Sequence, residues 1–169
     1  FYVINTCSVT ENANKECRYL VRKVQKKNKQ AKIIIMGCYA QLKPKEIAKI
    51  KGVNLILGNN EKLKLKNYLL KIKKEDGVKI IRKKHQELKN FQSAFSVGDR
   101  TRSFLKIQDG CNYKCTFCTI PLARGRSRSD EIENIILKIK NLKYQGIKEV
   151  VLTGINIGDF HNEKDERLI

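Results

Sequence analysis

Three cysteines, Cys111, Cys115 and Cys118, fall within the eight residues "CNYKCTFC". Thiolates are soft ligands, and such crowding in a chain without secretion signals points to metal or redox chemistry. A structural zinc site takes four ligands, usually as two close pairs. No fourth Cys or His stands near this loop. A cubane iron–sulfur cluster held by three thiolates leaves one iron open, so a small molecule can take the fourth place. Two further cysteines, Cys7 in "NTCSVT" and Cys38 in "MGCYAQ", each follow an apolar run that reads as a strand. Loops at the C-terminal ends of parallel strands converge on one edge of an open α/β sheet. Thiolates there would form part of a second metal site, the alternative being that both are ordinary small buried residues. Cys17 differs, because it shares a helical apolar stripe with Ala13, Leu20, Val21 and Val24 and reads as core.

The elements that must position these residues alternate strand and helix. Residues 2–4 read as a strand, followed by a helix that Thr10 can cap and that ends in the basic "VQKKNKQ". A buried strand is expected over 32–36 with a stop at Gly37-Cys38, then a short helix after Pro44, a strand over 53–57 and a helix over 61–73. This rhythm implies a small parallel sheet with helical crossovers. The pattern weakens from Lys74 to Arg100, where "VKIIRK" offers one more strand and the rest reads as linker. A strand over 103–108 then leads into the cysteine loop. Ser129 is the expected cap of a helix whose stripe is Ile132, Ile135, Ile136, Ile139 and Leu142. Gly146 stops it before the strand "KEVVLTG". The result is a βαβ unit with the cysteine loop after its first strand, the end at which (β/α) barrels keep their active sites.

A formal charge of +19, from 36 basic against 17 acidic residues, fits a polyanionic partner such as RNA. The weaker alternative is a compositional bias toward Lys, Ile and Asn, with the lysines merely solvating the surface. The longest apolar runs, such as residues 33–36, are strand-sized, so no membrane span is expected. The opening "FYVINTC" has neither a basic n-region nor an initiator Met, and the chain is read as a piece whose start lies upstream. Six cysteines without a secretion signal place it in a reducing compartment, the cytoplasm.

Cys111-x3-Cys115-x2-Cys118, with Phe117 before the last cysteine, resembles the signature of radical S-adenosylmethionine enzymes. "TRSFLKIQDGCNYKCTFCTIPLARGRSRS" resembles the methylthiotransferases among them, and "FLKIQDGC" and "LTGINIGD" look most like the branch acting on N6-threonylcarbamoyladenosine in tRNA. "NTCSVTENA" and "MGCYAQ" resemble segments carrying two ligands of that family's auxiliary cluster. The resemblance implies an α/β chain: a methylthiotransferase N-terminal domain over 1–74, a linker over 75–100, and the start of a radical SAM partial barrel over 101–169. It implies S-adenosylmethionine and two [4Fe-4S] clusters in the full-length protein. One would be held by Cys111, Cys115 and Cys118, the other by Cys7, Cys38 and a third ligand upstream. Phe117, Gly154 and Asn156 would lie on the cofactor side. The implied chemistry is reductive cleavage of S-adenosylmethionine to a 5′-deoxyadenosyl radical, hydrogen abstraction from C2 of adenosine 37, and delivery of a methylated sulfur. Implied partners are tRNA and an electron donor, with no membrane, and a monomer is expected. Relatives acting on isopentenyladenosine or on a ribosomal-protein aspartate stay open, as does a zinc-stabilised RNA-binding module. Arg124, Arg126 and Arg128 could contact phosphates or be simple solvated surface. His85 and His161 receive no role.

Overall fold

Runs of branched aliphatic residues become strands here, and the amphipathic stretches between them become helices. The computed structural model describes residues 1–8, 10–70, 72, 77–84, 91–96, 102–162, 164 and 166–168. The chain divides into two compact units, Phe1–Leu88 with Cys115–Arg124, and Lys89–Lys114 with Gly125–Ile169. The fold is α/β, as expected.

The first unit runs β1 (Tyr2–Thr6), α1 (Glu11–Lys27), β2 (Ile33–Gly37), α2 (Cys38–Leu42), α3 (Pro44–Ala48), β3 (Val53–Leu57), a 3-10 turn (Glu61–Lys64), α4 (Leu65–Leu69) and β4 (Lys79–Ile81). Its sheet has the order β1-β2-β3-β4, every pairing parallel. Both faces are covered, which is why β2 is a continuous apolar run instead of an alternating one. Ile33 and Ile35 pack with Cys17, Val21 and Tyr39 on one face, while Ile34 packs with Leu55, Leu57 and Ile72 on the other. Each buried isoleucine contributes about 1.5–3 kcal/mol. Thr10 caps α1 as expected, its hydroxyl accepting from the Ala13 amide at 3.3 Å.

Two expectations are corrected in this unit. Cys38 lies in no loop: it is the first residue of α2, a single turn too short to show a hydrophobic period. The helix expected over 61–73 is a tight 3-10 turn followed by α4, which ends at Leu69; residues 71 and 73 lie outside the described residues. Glu61 is buried and accepts the Tyr68 hydroxyl at 2.8 Å. The strand in "VKIIRK" is β4, the fourth strand of this first sheet.

The second unit holds β5 (Ala94–Phe95), β6 (Arg102–Lys106), β7 (Gln108–Asp109), β8 (Arg128–Ser129), α6 (Ile132–Tyr144), β9 (Glu149–Thr153) and a 3-10 turn (Ile157–Asp159). α5 (Ile120–Arg124) belongs to the first unit. β6 and β9 pair in parallel with β5 on the other side of β6, and β7 pairs antiparallel with β8. Leu105, Ile107, Ile135 and Phe160 form the core, with Ile132, Ile139, Val150 and Leu152 packed against it. Ser129 is not the helix cap, because it is paired in β8 and α6 starts after Glu131. Glu131 takes the cap position, with no side-chain hydrogen bond to the first turn, and the Asp130 Oδ1 before it accepts the Glu131 amide at 3.1 Å. Ile136 leaves the expected stripe and is 47% exposed. It sits one residue, about 100° of helix, beyond buried Ile135. Gly146 ends α6 in the left-handed region, at φ 83°. Among the described residues, no helix is long and apolar enough to cross a membrane.

Candidate functional site

The register of β1 and β2 pairs Thr6 with Gly37, so Cys7 and Cys38 are the next residues off the same ends of adjacent parallel strands. Neighbouring strands lie about 4.8 Å apart, which puts both thiols on one sheet edge. The Thr6 hydroxyl donates to the Met36 carbonyl at 2.7 Å and closes that edge. Cys7 is exposed and Cys38 buried. The Cys38 sulfur accepts an N–H from the Asn59 side chain at 3.7 Å. Behind it, Arg18 donates to the Tyr39 hydroxyl at 3.0 Å and to Glu46 at 2.9 Å, joining α1, α2 and α3. Burial, then the Glu46 hydrogen bond, push the Tyr39 phenol up to about 12. Cys17 is core, 3% exposed, and burial pushes its thiol up to about 11, which suits an inert side chain.

A Gly-Cys corner introduces one cysteine of each candidate set, Cys38 and Cys111. Gly37 has φ 103° and a Cβ on it would lie 2.4 Å from the Thr6 carbonyl oxygen. Gly110 has φ 76° and its Cβ would meet the Arg126 oxygen at 2.0 Å. Only glycine fits either place, since other residues meet both a steric and a conformational penalty there. The repeated "GC" is the sequence signal of this corner.

The cysteine loop leaves β7 at Gly110. Cys111 belongs to the second unit, where its amide donates to the Gly125 carbonyl at 3.2 Å. Cys115 and Cys118 belong to the first unit and close a turn, the Cys118 amide donating to the Cys115 carbonyl at 3.0 Å. All three thiols are free, Cys115 exposed and the other two half-buried. Soft, unpaired thiols on a non-helical loop are a donor set suited to iron–sulfur ligation. Phe117 is 89% exposed and so is free of the protein core.

Gln108 is the residue that sequence reasoning missed. It is fully buried, and its Nε2 donates to the Gly110 carbonyl at 2.9 Å and to the Ser127 hydroxyl at 2.8 Å. Its Oε1 accepts the amides of Ile155 at 2.8 Å and Asn156 at 3.0 Å. One side chain thus ties the start of the cysteine loop to the turn after β9. Gly154 is needed for this contact, because a Cβ on it would lie 2.8 Å from Gln108 Oε1. Asn156 donates through Nδ2 to Asp159 at 2.8 Å. A Cβ on Gly158 would make only an ordinary contact, 3.8 Å from Asn156 Oδ1. A cleft of about 450 Å³ is lined by Asn112, Tyr113, Asp159, His161 and Arg167 among others. His161 thereby acquires a place in a cleft wall; His85 lies outside the described residues.

The arginines of "ARGRSRS" separate. Arg128 is largely buried, 3.6 Å from Asp109, and donates to the Arg126 carbonyl at 3.0 Å. Arg126 is exposed. Among the described residues, the one group of three potential ligands with atoms within 4.8 Å of one another is Glu131, Glu133 and Glu166, and no cysteine is in it. Lys164 pairs with Glu131 and Glu133 at 3.8 and 2.7 Å, and its hydrogen bond lowers the Glu133 pKa. That group is an ion-pair cluster.

Comparison with known proteins gives two matched segments. Residues 1–58 match the profile described as "Uncharacterized protein family UPF0004", and residues 105–168 match the Radical SAM superfamily. The chain is 41% identical over 172 residues to the threonylcarbamoyladenosine tRNA methylthiotransferase MtaB of Aquifex aeolicus, covering 99% of this chain and 41% of that protein. It is 42% identical over 163 residues to the protein of the same name from Bacillus subtilis, covering 94% and 36%. To the tRNA-2-methylthio-N(6)-dimethylallyladenosine synthase of Parabacteroides distasonis it is 30% identical over 172 residues, covering 98% and 37%. The chain thus spans 36–41% of the length of these relatives. The resemblance to the radical SAM methylthiotransferases holds along nearly the whole chain, and the superfamily brings with it S-adenosylmethionine and iron–sulfur chemistry in general.

Proposed function

We propose that this chain is part of a tRNA-modifying enzyme that places a methylthio group on C2 of N6-threonylcarbamoyladenosine at position 37, beside the anticodon. The observation that carries the reading is the Cys111-x3-Cys115-x2-Cys118 loop that leaves β7, in a chain similar throughout to proteins named for this substrate. The methylthiotransferase domain would run from residue 1 past 74 to include β4 of its sheet, a linker would follow it, and 101–169 would be the start of the radical SAM domain. Cys111, Cys115 and Cys118 would hold one [4Fe-4S] cluster. Cys7 and Cys38, with a third ligand from upstream, would hold another. When bound, these clusters and S-adenosylmethionine supply the radical that removes hydrogen from the base and the sulfur that replaces it.

The chain's own residues bind and orient. Gln108 fixes the spacing between the cysteine loop and the turn after β9, so that a cofactor seated there meets a preset wall. Asn156 and Gly154 would lie on the cofactor side of that turn, and exposed Phe117 would offer an apolar ring face to an adenine. The charge of +19, with Arg126 exposed near the loop, supports an RNA partner. An electron donor, a monomeric state and a cytoplasmic location complete the reading. A second reading, isopentenyladenosine at the same position, draws support from the Parabacteroides relative.

The test is anaerobic reconstitution of the full-length enzyme with iron and sulfide. It should yield a brown protein that forms 5′-deoxyadenosine and, on tRNA carrying threonylcarbamoyladenosine, the methylthio nucleoside by mass spectrometry. A colourless zinc protein without 5′-deoxyadenosine would overturn the proposal in favour of an RNA-binding module. Product on isopentenyladenosine or on the ribosomal protein alone would replace the substrate.

A further inference from the structure

The loop after β3 carries an amide that serves two acceptors. Asn59 Nδ2 donates to the Ala123 carbonyl of α5 at 2.7 Å and to the Cys38 sulfur at 3.7 Å. A carbonyl oxygen only accepts, so the Ala123 contact settles which end of the amide is nitrogen and therefore which end faces sulfur. A metal-ligating thiolate likewise only accepts. The two N–H bonds of one amide thus meet two partners that both require donors.

The amide is held in place from behind. The backbone N–H of Asn59 donates to Oε1 of buried Gln41 at 3.1 Å, and Gln41 Nε2 donates to the Lys83 carbonyl at 2.9 Å. Gly58 leaves room for this, since a Cβ on it would sit 2.4 Å from Gln41 Oε1. Gln41 belongs to the same short helix that Cys38 opens, and α2 packs on α5 within the first unit. A surface asparagine with no task needs no such bracing.

The geometry points to Asn59 as a positioning residue of the auxiliary cluster: it donates to the Cys38 sulfur and pins α5, which begins two residues after Cys118, to the same point. This rests on the reading of Cys38 as a cluster ligand. An N–H···S bond draws electron density from the thiolate and favours the reduced, more negative cluster, so it raises the reduction potential.

The test uses the full-length enzyme with Cys111, Cys115 and Cys118 changed to Ala, so that the auxiliary cluster alone gives the signal in a redox titration followed by paramagnetic resonance. With Asn59→Leu, the reduced-to-oxidised ratio at a fixed potential should fall about tenfold, a shift of ~59 mV for a one-electron couple. Asn59→Asp, the same shape without a donor, should fall further. Unchanged potentials in both variants, with full cluster content, would overturn the assignment of Asn59 while leaving Cys38 a ligand. If the parent holds no cluster, or Cys38→Ala leaves its signal unaltered, the reading of Cys38 fails and this inference with it. Should Asn59→Leu lose the cluster, recovery in Asn59→Gln, which keeps a donor amide, supports the role. No recovery counts against it.

Discussion

The two cysteine sets are built on opposite principles. Cys111, Cys115 and Cys118 lie on one short loop, so bringing them together closes only small rings. Cys7 and Cys38 are separated by a whole helix and a strand, and only the register of β1 against β2 makes them neighbours. Yet one cysteine of each set, Cys38 and Cys111, leaves its strand through the same device, a left-handed glycine directly before it, with a carbonyl oxygen where a side chain would stand. A local ligand set tolerates damage elsewhere in the sheet, whereas an edge set inherits every defect of the strands beneath it.

The sharpest way to break this comparison is to remove the proposed ligands of each set in the full-length enzyme. Changing any one of Cys111, Cys115 or Cys118 to Ala should abolish 5′-deoxyadenosine formation, and with it all product. Changing Cys7 or Cys38 should leave 5′-deoxyadenosine formation in place while methylthiolation is lost. If the Cys7 and Cys38 variants still modify tRNA, the edge set is not a metal site.

Next in size are the two glycines. Gly37→Ala and Gly110→Ala should each destabilise by about 3 kcal/mol, combining left-handed backbone strain with a backbone clash. Denaturant titration of the apoprotein reads the loss. Equal stability to the parent in either variant would show that its corner relaxes freely.

Smaller effects should separate Arg126 from Arg128. If Arg126 meets a phosphate, Arg126→Ala should lower the slope of log affinity for tRNA against log salt by about 1. Arg128→Ala should act on stability instead, since its guanidinium is engaged by Asp109 and the Arg126 carbonyl. Equal slopes for parent and Arg126→Ala would leave Arg126 as solvated surface.

The smallest effect belongs to Cys17. Cys17→Ala should leave cluster content unchanged and cost about 1 kcal/mol, as the loss of one small buried group does. In the apoprotein, its thiol, pushed up to about 11 by burial, should resist alkylation at pH 8 while exposed Cys7 and Cys115 react. Iron lost from Cys17→Ala would make it a ligand.

Much of the frame was legible wherever a local rule governs it. β3 and the body of β2 follow from unbroken aliphatic runs, the start of α1 from Thr10, and the end of α6 from Gly146. α2 was not legible, because five residues hold no period and Cys38 looked like the end of a strand. Nor was the shift of the α6 cap from Ser129 to Glu131, which depends on Ser129 pairing with Gln108 across the β7–β8 ladder. Ile136 looked like core because isoleucine is apolar, but its direction on the helix leaves it exposed.

By itself the sequence determined the three-cysteine loop, the alternation of strand and helix, and the basic character of the chain, since each is a matter of residue type at short spacing. Only the tertiary structure decided that Thr6 stands beside Gly37, that Gln108 receives the amides of Ile155 and Asn156, and that Asn59 faces Cys38. The Asn59 and Gln108 contacts span 21 to 48 positions of chain. A buried polar group must find a partner wherever the folded chain brings one, and no local period in the sequence records which partner that will be.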